Sequence, residues 1–194
     1  KLNESTGFNV LWPDLRGHGQ QPPVKWTLFG AVEGDDVTAA IDYLHTLKTV
    51  AGKPQTGFVG VYGVELGAYA AVDGAKRYAE VRALALDSVP ASPDQMMQAA
   101  TDRQIGMNNP VFIWLGRWGM KVYGAGKYQN ISACELARAT RNEKVLLLAG
   151  TTNDPWRDST LALSACFTGG AVDVKKDLPI TGGGLDAATG EQEE

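Results

Sequence analysis

The sequence predicts an α/β fold in which a mostly parallel sheet is covered by helices on both faces. Apolar, strand-like segments alternate along the chain with helix-like segments. Strands that are apolar throughout are typical of parallel sheets buried between helices. The chain has 194 residues, of which 44% are hydrophobic, and this is enough for one packed core. We therefore expect one α/β domain, with room for an insertion.

The individual strands and helices are predicted from the hydrophobic pattern and from the Gly and Pro residues that interrupt it. Strands are predicted at 8–12, 58–62, 81–86, 145–149 and, more weakly, 171–174. A loop rich in Gly and Pro covers 14–23, and helices are predicted at 34–48 and 65–78. The first helix has apolar residues at helical spacing, and Asp35 and Asp36 lie at its start, where the helix dipole favours acidic residues.

The stretch between Asp87 and Glu143 departs from this alternation, because it contains no convincing core strand. Long excursions between two strands usually lie over the ligand-binding edge of a sheet. We therefore predict a core formed by residues 1–90 and 141–194, with a cap or lid at 91–140. Its aromatic residues could close a lid, contact a protein, touch a membrane surface or form a small satellite core: Phe112, Trp114, Trp118, Tyr123 and Tyr128.

Composition excludes several classes of function. Lys plus Arg is 18 and Asp plus Glu is 22, so the net charge is −4 and no basic field favours nucleic acid. No apolar run approaches the ~18 residues of a membrane span. Cys134 and Cys166 cannot by themselves form a disulfide framework or a zinc site, and we expect buried thiols. No cofactor or metal is indicated. An imidazole would have to come from His18 or His45.

Four segments in order resemble the α/β-hydrolase superfamily, and within it bacterial esterases and serine aminopeptidase-like hydrolases. They are GFNVLWPDLRGHG at 7–19, GVYGVELGA at 60–68, LALDS at 84–88 and KVLLLAGTTND at 144–154. The resemblance implies an α/β-hydrolase fold with a cap between its sixth and seventh strands. It also implies that strands one to three precede Lys1. We therefore expect an upstream segment or a protein partner to complete the sheet, and this chain to be stable only with one of them. Cytoplasmic location and anchoring through an unseen N-terminal segment both remain open.

The resemblance also implies which positions would carry catalysis. Glu65 stands at the nucleophile position of the G-x-S-x-G elbow, and Leu66 would supply one oxyanion N–H. Asn153 stands at the acid position, with Asp154 one residue later, and Gly183 stands at the histidine position. All three catalytic positions thus depart from the family's pattern.

Structural roles compete with each of these assignments. Glu65 is explained as an anion at a helix N-terminus, and Asp154 as the N-cap of a helix that begins near Trp156. His18 lies in a loop where the family keeps a structural histidine, and His45 shares the solvent face of the first helix. Neither histidine is expected to reach Glu65.

Two classes of function follow from these expectations. The first is a catalytically inactive α/β-hydrolase-fold protein with a binding, scaffolding or assembly role, and with a small hydrophobic molecule as a possible ligand under the cap. The second is an active esterase or peptidase that cleaves ester or amide bonds with non-standard residues. The absence of a histidine at position 183 favours the first.

Overall fold

The computed structural model describes residues 7–22, 24–48, 52, 57–105, 110–141 and 143–179. Helices and strands alternate within these ranges as the sequence predicts. In chain order the elements are α1 (Gly34–Thr46), β1 (Val59–Val64), α2 (Leu66–Ala75), β2 (Val81–Asp87), α3 (Pro93–Ile105), α4 (Pro110–Tyr123), α5 (Ala133–Arg138), β3 (Lys144–Gly150), α6 (Arg157–Leu163) and β4 (Val172–Leu178).

The strands form one parallel sheet in the order β1-β2-β3-β4. Its register pairs Gly63 with Leu86, Leu84 with Val145, and Val145 with Val172. Because parallel strands end at the same edge, the turns that follow β1, β2 and β3 converge there. The predicted fold class is confirmed, and this edge carries the candidate site.

Helix α2 forms the centre of the core. Every residue from Ala68 to Ala75 is buried, and the helix packs against α1, β1 and β2. Side chains from β2 and β3, including Leu84, Leu86 and Leu147, belong to the same buried cluster. Burial on all sides explains why α2 is rich in alanine, since small side chains allow close approach of the surrounding elements.

Three helices, α3 to α5, occupy the interval between β2 and β3. Helix α4 packs on α3, and an ion pair joins Arg117 of α4 to Asp94 of α3. The Asp94 carboxylate also accepts a hydrogen bond from the Tyr128 hydroxyl at 2.6 Å. The division into a core and a cap at 91–140 stays a prediction. Among the described residues, every helix is too short or too polar to cross a bilayer.

The predicted strand at 8–12 is wrong. This segment is irregular and forms no ladder with the described strands, and the side chain of Trp12 is 88% exposed. A strand requires a hydrogen-bonded neighbour, and the described sheet offers none beside this segment. The chain is instead held farther along, where the Arg16 backbone N–H and Nε both donate to Asp36 Oδ2 at 2.9 Å.

The prediction of two buried thiols is also wrong, because Cys134 and Cys166 form a disulfide with a Cα–Cα distance of 5.2 Å. The bond joins the first turn of α5 to the turn that follows α6. The two cysteines are separated by 32 residues, so their proximity depends on the packing of two helices that the sequence pattern does not specify.

Candidate functional site

The turn between β1 and α2 holds Glu65 in an uncommon backbone conformation. Its φ is 48° and its ψ is −112°, a region that residues with a side chain rarely occupy. The Glu65 backbone N–H donates to the Asp87 carbonyl at 2.9 Å, and its carbonyl accepts from the Tyr69 N–H at 3.0 Å. A sharp strand-to-helix turn of this kind projects its side chain from the sheet edge.

Two glycines flank this turn, and only one of them is required by packing. A Cβ on Gly63 would lie 2.3 Å from the Gly67 carbonyl oxygen, so only glycine allows the strand and the helix to approach this closely. A Cβ on Gly67 would meet nothing within 4 Å. Leu66 is the first residue of α2, so its N–H is among those without an intrahelical acceptor.

Glu65 faces a cavity of about 180 Å³. Helix α3 and the loop before α1 form much of its wall, and residues from four other segments complete it. The lining residues are His18, Thr27, Phe29, Glu65, Leu66, Pro90, Met96, Ala99, Ala100, Arg103 and Trp156. Most of these side chains are apolar, so the cavity presents a few polar groups inside a hydrophobic wall, as small-molecule sites do.

Burial raises the pKa of the Glu65 carboxyl above its ordinary value. The positive charge of Arg103 and the indole N–H of Trp156 oppose this rise, whereas the negative charge of Asp154 adds to it. The Trp156 N–H forms no hydrogen bond of normal geometry within the described part of the chain, although its side chain is buried. The cavity therefore contains a carboxyl group together with an N–H that is not fully satisfied.

The turn after β3 separates the two residues considered for the acid position. Asn153 is exposed, whereas Asp154 is buried. Asp154 Oδ2 accepts from the Gly150 backbone N–H at 3.1 Å, and its Oδ1 accepts from the backbone N–H of Trp156 at 2.9 Å. Helix α6 begins at Arg157 with Trp156 as its N-cap, so Asp154 organises the turn ahead of the helix and is not itself the cap.

A buried serine that the sequence reasoning missed connects two strand ends. The Ser88 hydroxyl lies 2.8 Å from Asp87 Oδ1 and 3.0 Å from Asp154 Oδ2. Ser88 itself has a φ of 52°. Its position directly after β2, beside Asp87, was the only signal in the sequence. The hydroxyl has one proton for these two carboxylates, whereas Asp154 also accepts from two backbone N–H groups, so its carboxylate is committed to this network.

The two histidines have different surroundings. His45 is exposed on α1, as expected, and its Nε2 lies 2.9 Å from Glu80 Oε1. His18 lines the same cavity as Glu65, which corrects the expectation that it lies elsewhere. His18 Nδ1 lies 3.0 Å from the Arg16 carbonyl oxygen. A carbonyl can only accept, so Nδ1 is the donor, and Nε2 is the acceptor whenever the ring is neutral.

Gly183 lies outside the described residues. The described ranges contain no group of three or more His, Cys, Asp or Glu residues placed to hold a metal ion.

A larger cavity, of about 610 Å³, lies between the 11–26 segment and α1, and His18 also lines it. The sequence reasoning gave no indication of this second cavity. Of its two acidic lining residues, Asp14 and Asp36, the second is paired, since Arg16 Nη2 lies 2.6 Å from Asp36 Oδ1.

The acidic cluster at the start of α1 has more specific roles than the expected interaction with the helix dipole. Glu33 is fully buried, and its carboxylate accepts hydrogen bonds from the Leu28 N–H and the Gly30 N–H, both at 2.9 Å. Asp36 pairs with Arg16, and Asp35 pairs with Arg77 at 2.6 Å. These residues fasten the loop before α1 and the α1–α2 pair.

Comparisons with solved structures identify the class of fold. Esterase Pf2001 of Pyrococcus furiosus is 18% identical with a TM-score of 0.56, and the match covers 93% of this chain and 65% of that one. Acetyl xylan esterase 1 from Thermoanaerobacterium sp. JW/SL YS485 is 18% identical with a TM-score of 0.54, covering 93% and 62%. DcsB, solved with its substrate analogue, is 14% identical with a TM-score of 0.56, covering 93% and 77%.

These similarities show an α/β-hydrolase fold, shared with esterases and hydrolases. The chain spans less than two thirds of the length of the Pf2001 and acetyl xylan esterase chains. No protein-family model matches the sequence. No curated protein matches it either.

Proposed function

We propose that this α/β-hydrolase-fold protein is catalytically inactive as a serine hydrolase and binds a small molecule in the Glu65 cavity. The observation that carries the proposal is the side chain at the elbow: the turn presents a carboxyl group where an acyl-transfer enzyme needs a hydroxyl. Around it, Asp154 is engaged in the Ser88 network and Asn153 points to solvent. These features remove the nucleophile and weaken the acid position.

The cavity supports binding of a small hydrophobic ligand. Phe29, Met96 and Ala99 contribute apolar wall, whereas Glu65 and Trp156 contribute an acceptor and a donor. A ligand with an apolar body and one hydroxyl or amide group would cover the wall, and its oxygen would accept a hydrogen bond from the indole N–H of Trp156. A scaffolding or assembly role is compatible with the same fold and would not require this cavity.

A second candidate function is hydrolysis by unconventional residues. It is supported by the presence of Glu65 and His18 in one cavity. A carboxylate can act as a nucleophile, and a neutral His18 imidazole could then activate water for the second step. In this mechanism the Glu65 carboxylate attacks an ester carbonyl to give an anhydride, and the departing alkoxide takes a proton from solvent and leaves as the alcohol. Water then hydrolyses the anhydride, which releases the acid and restores the Glu65 carboxylate.

Covalent labelling by a fluorophosphonate probe tests whether any serine of this protein acts as a nucleophile. We expect no labelling of the wild-type chain and none of Glu65→Ser, because His18, the described histidine that lines the cavity, bonds to the Arg16 carbonyl and forms no hydrogen bond to Glu65 within the described residues. Labelling is expected only after Asn153→Asp and Gly183→His are added. Ser88→Ala is the matched control, since Ser88 is the buried serine nearest the turn network. Labelling of the wild type that Ser88→Ala abolishes would refute the proposal.

The lengths of the matched esterases support a further part of the proposal, that additional strands complete the sheet. This chain spans 65% of the Pf2001 chain and 62% of the acetyl xylan esterase chain, and both share its fold. An incomplete parallel sheet offers its edge to a further strand. We expect the 194-residue chain alone to self-associate in light scattering. A stable wild-type monomer would contradict the proposal.

A further inference from the structure

Helix α4 exposes a continuous apolar surface, which we call the α4 stripe. Its residues are Val111, Trp114, Leu115, Trp118 and Val122. At about 100° per residue, they fall within an arc of about 100° on the helix. Trp114 is 63% exposed and Trp118 is 62% exposed. Single exposed apolar residues are ordinary, but five on one helical face form a patch that indicates an interaction site.

The opposite face of α4 already packs against the rest of the protein. A Cβ on Gly116 would lie 3.1 Å from Met97 Sδ of α3, and Arg117 pairs with Asp94. Beyond the helix end, a Cβ on Gly124 would lie 2.8 Å from Leu28 Cδ1. These contacts fix the orientation of α4, so the stripe cannot turn inward without breaking them.

All charged residues in the segment that contains the stripe are positive. From Arg103 to Cys134 the chain contains four cations and no Asp or Glu, namely Arg103, Arg117, Lys121 and Lys127. This segment carries a charge of +4 in a chain whose net charge is −4, so the remaining residues carry −8. On the helix, Arg117 and Lys121 flank the arc beside Trp114. Arg117 is paired with Asp94, whereas Lys121 has no ion-pair partner among the described residues. The stripe is therefore a hydrophobic surface bordered by one unpaired cation, within a segment that contains no acidic residue.

A second copy of the chain fits this surface poorly. A two-fold symmetric contact through the stripe would place the Lys121 of each copy in the same interface, where like charges oppose each other. The five side chains present on the order of 500 Å², below the about 800 Å² that each partner contributes to a stable interface.

We propose that the α4 stripe docks the protein on an anionic lipid surface. Tryptophans on the apolar face and cations beside it are the composition of helices that lie in the membrane interface. Lys121 would reach the lipid headgroups while Trp114 and Trp118 enter the acyl boundary. Residues of α3 line the Glu65 cavity and α4 packs on α3, so docking would hold the cavity close to the membrane.

The test is sedimentation of the 194-residue chain with vesicles of phosphatidylcholine alone or mixed with phosphatidylglycerol. We expect binding to the mixed vesicles at low salt, weaker binding at high salt, and little binding to phosphatidylcholine alone. The double variant Trp114→Ser/Trp118→Ser should lower the partition coefficient at least ten-fold. Lys121→Gln should lower it about three- to five-fold.

Trp12→Ser is the matched control, because Trp12 is more exposed than either stripe tryptophan and lies outside α4. It should leave partitioning unchanged, and thermal unfolding should show that all variants remain folded. Absence of binding to phosphatidylglycerol vesicles at low salt would overturn the proposal, as would equal binding of the wild type and the double tryptophan variant. A wild-type dimer that the double variant converts to a monomer, without vesicle binding, would assign the stripe to a second copy instead.

Discussion

Two glutamates immediately precede helices in this protein, and their surroundings differ. The Glu33 carboxylate, before α1, accepts from the Thr27 hydroxyl at 2.5 Å and from three backbone N–H groups, those of Leu28, Gly30 and Val32. Glu65, before α2, receives no capping hydrogen bond from its helix and faces a cavity. A glutamate at a helix start thus holds a loop together at position 33 and lines a cavity at position 65.

The difference shows how a buried carboxylate is made compatible with folding. Burying a charge is costly unless donors replace water, and the loop before α1 supplies four such donors to Glu33. Glu65 lacks that arrangement, and burial raises its pKa. Glu33 therefore stabilises its loop, whereas burial raises the pKa of Glu65 and leaves its hydrogen-bonding capacity for a ligand.

The largest expected effect is the loss of Glu33. Glu33→Ala leaves three buried N–H groups without an acceptor, and at roughly 1–3 kcal/mol each this should lower the free energy of unfolding by about 4 kcal/mol or more. Glu65→Ala should change it by less than about 1 kcal/mol. Urea unfolding of both variants measures the contrast, and equal losses would remove the distinction between the two glutamates.

Loss of the Cys134–Cys166 disulfide should have the next largest effect on the free energy of unfolding. This bond ties α5 to the end of α6, the helix that begins directly after Trp156. Closing a loop of this length restricts the unfolded chain by about 3–4 kcal/mol. Cys134→Ser/Cys166→Ser should lower the free energy of unfolding by that amount. Unfolding of the wild type with and without reductant is the accompanying measurement. A double variant as stable as the oxidised wild type would contradict the structure.

The two elbow glycines provide a matched pair. Gly63→Ala places a methyl group against the backbone at Gly67 and should cost about 2–3 kcal/mol. Gly67→Ala enters open space within α2 and should be neutral or stabilise by up to about 1 kcal/mol. Thermal unfolding compares them. A tolerated Gly63→Ala would mean that the turn presenting Glu65 is looser than the structure has it.

The smallest effect is a pH dependence of stability that comes from Glu65. Because the pKa of Glu65 is raised in the folded state, that state binds more protons than the unfolded state just above the ordinary glutamate pKa. The contribution of Glu65 to stability should therefore fall as pH rises through the folded pKa. Wild type and Glu65→Gln should differ in this slope between pH 4 and pH 8, and parallel curves would show that the shift is absent.

The sequence predicted the parallel sheet well, because strands such as β2 and β3 are apolar on both faces and bounded by clear breaks. It failed for 8–12, where an apolar pattern lacks a neighbouring strand, and for Cys134 and Cys166, whose pairing depends on helix packing. The position of Glu65 followed from a local motif. The placement of His18 beside it, and the engagement of Asp154 by Ser88, depend on contacts between distant segments that no local pattern records.

Ester turnover by the wild type, Glu65→Gln and His18→Ala shows whether this protein is catalytically inactive. We expect all three to hydrolyse p-nitrophenyl acetate at the same rate, no faster than the uncatalysed background. General acid–base assistance contributes about 10²–10⁴-fold where it operates, so a working Glu65–His18 pair would be readily seen. A wild-type rate well above background that falls at least ten-fold in both variants would contradict the proposed inactivity and establish hydrolysis by Glu65 and His18.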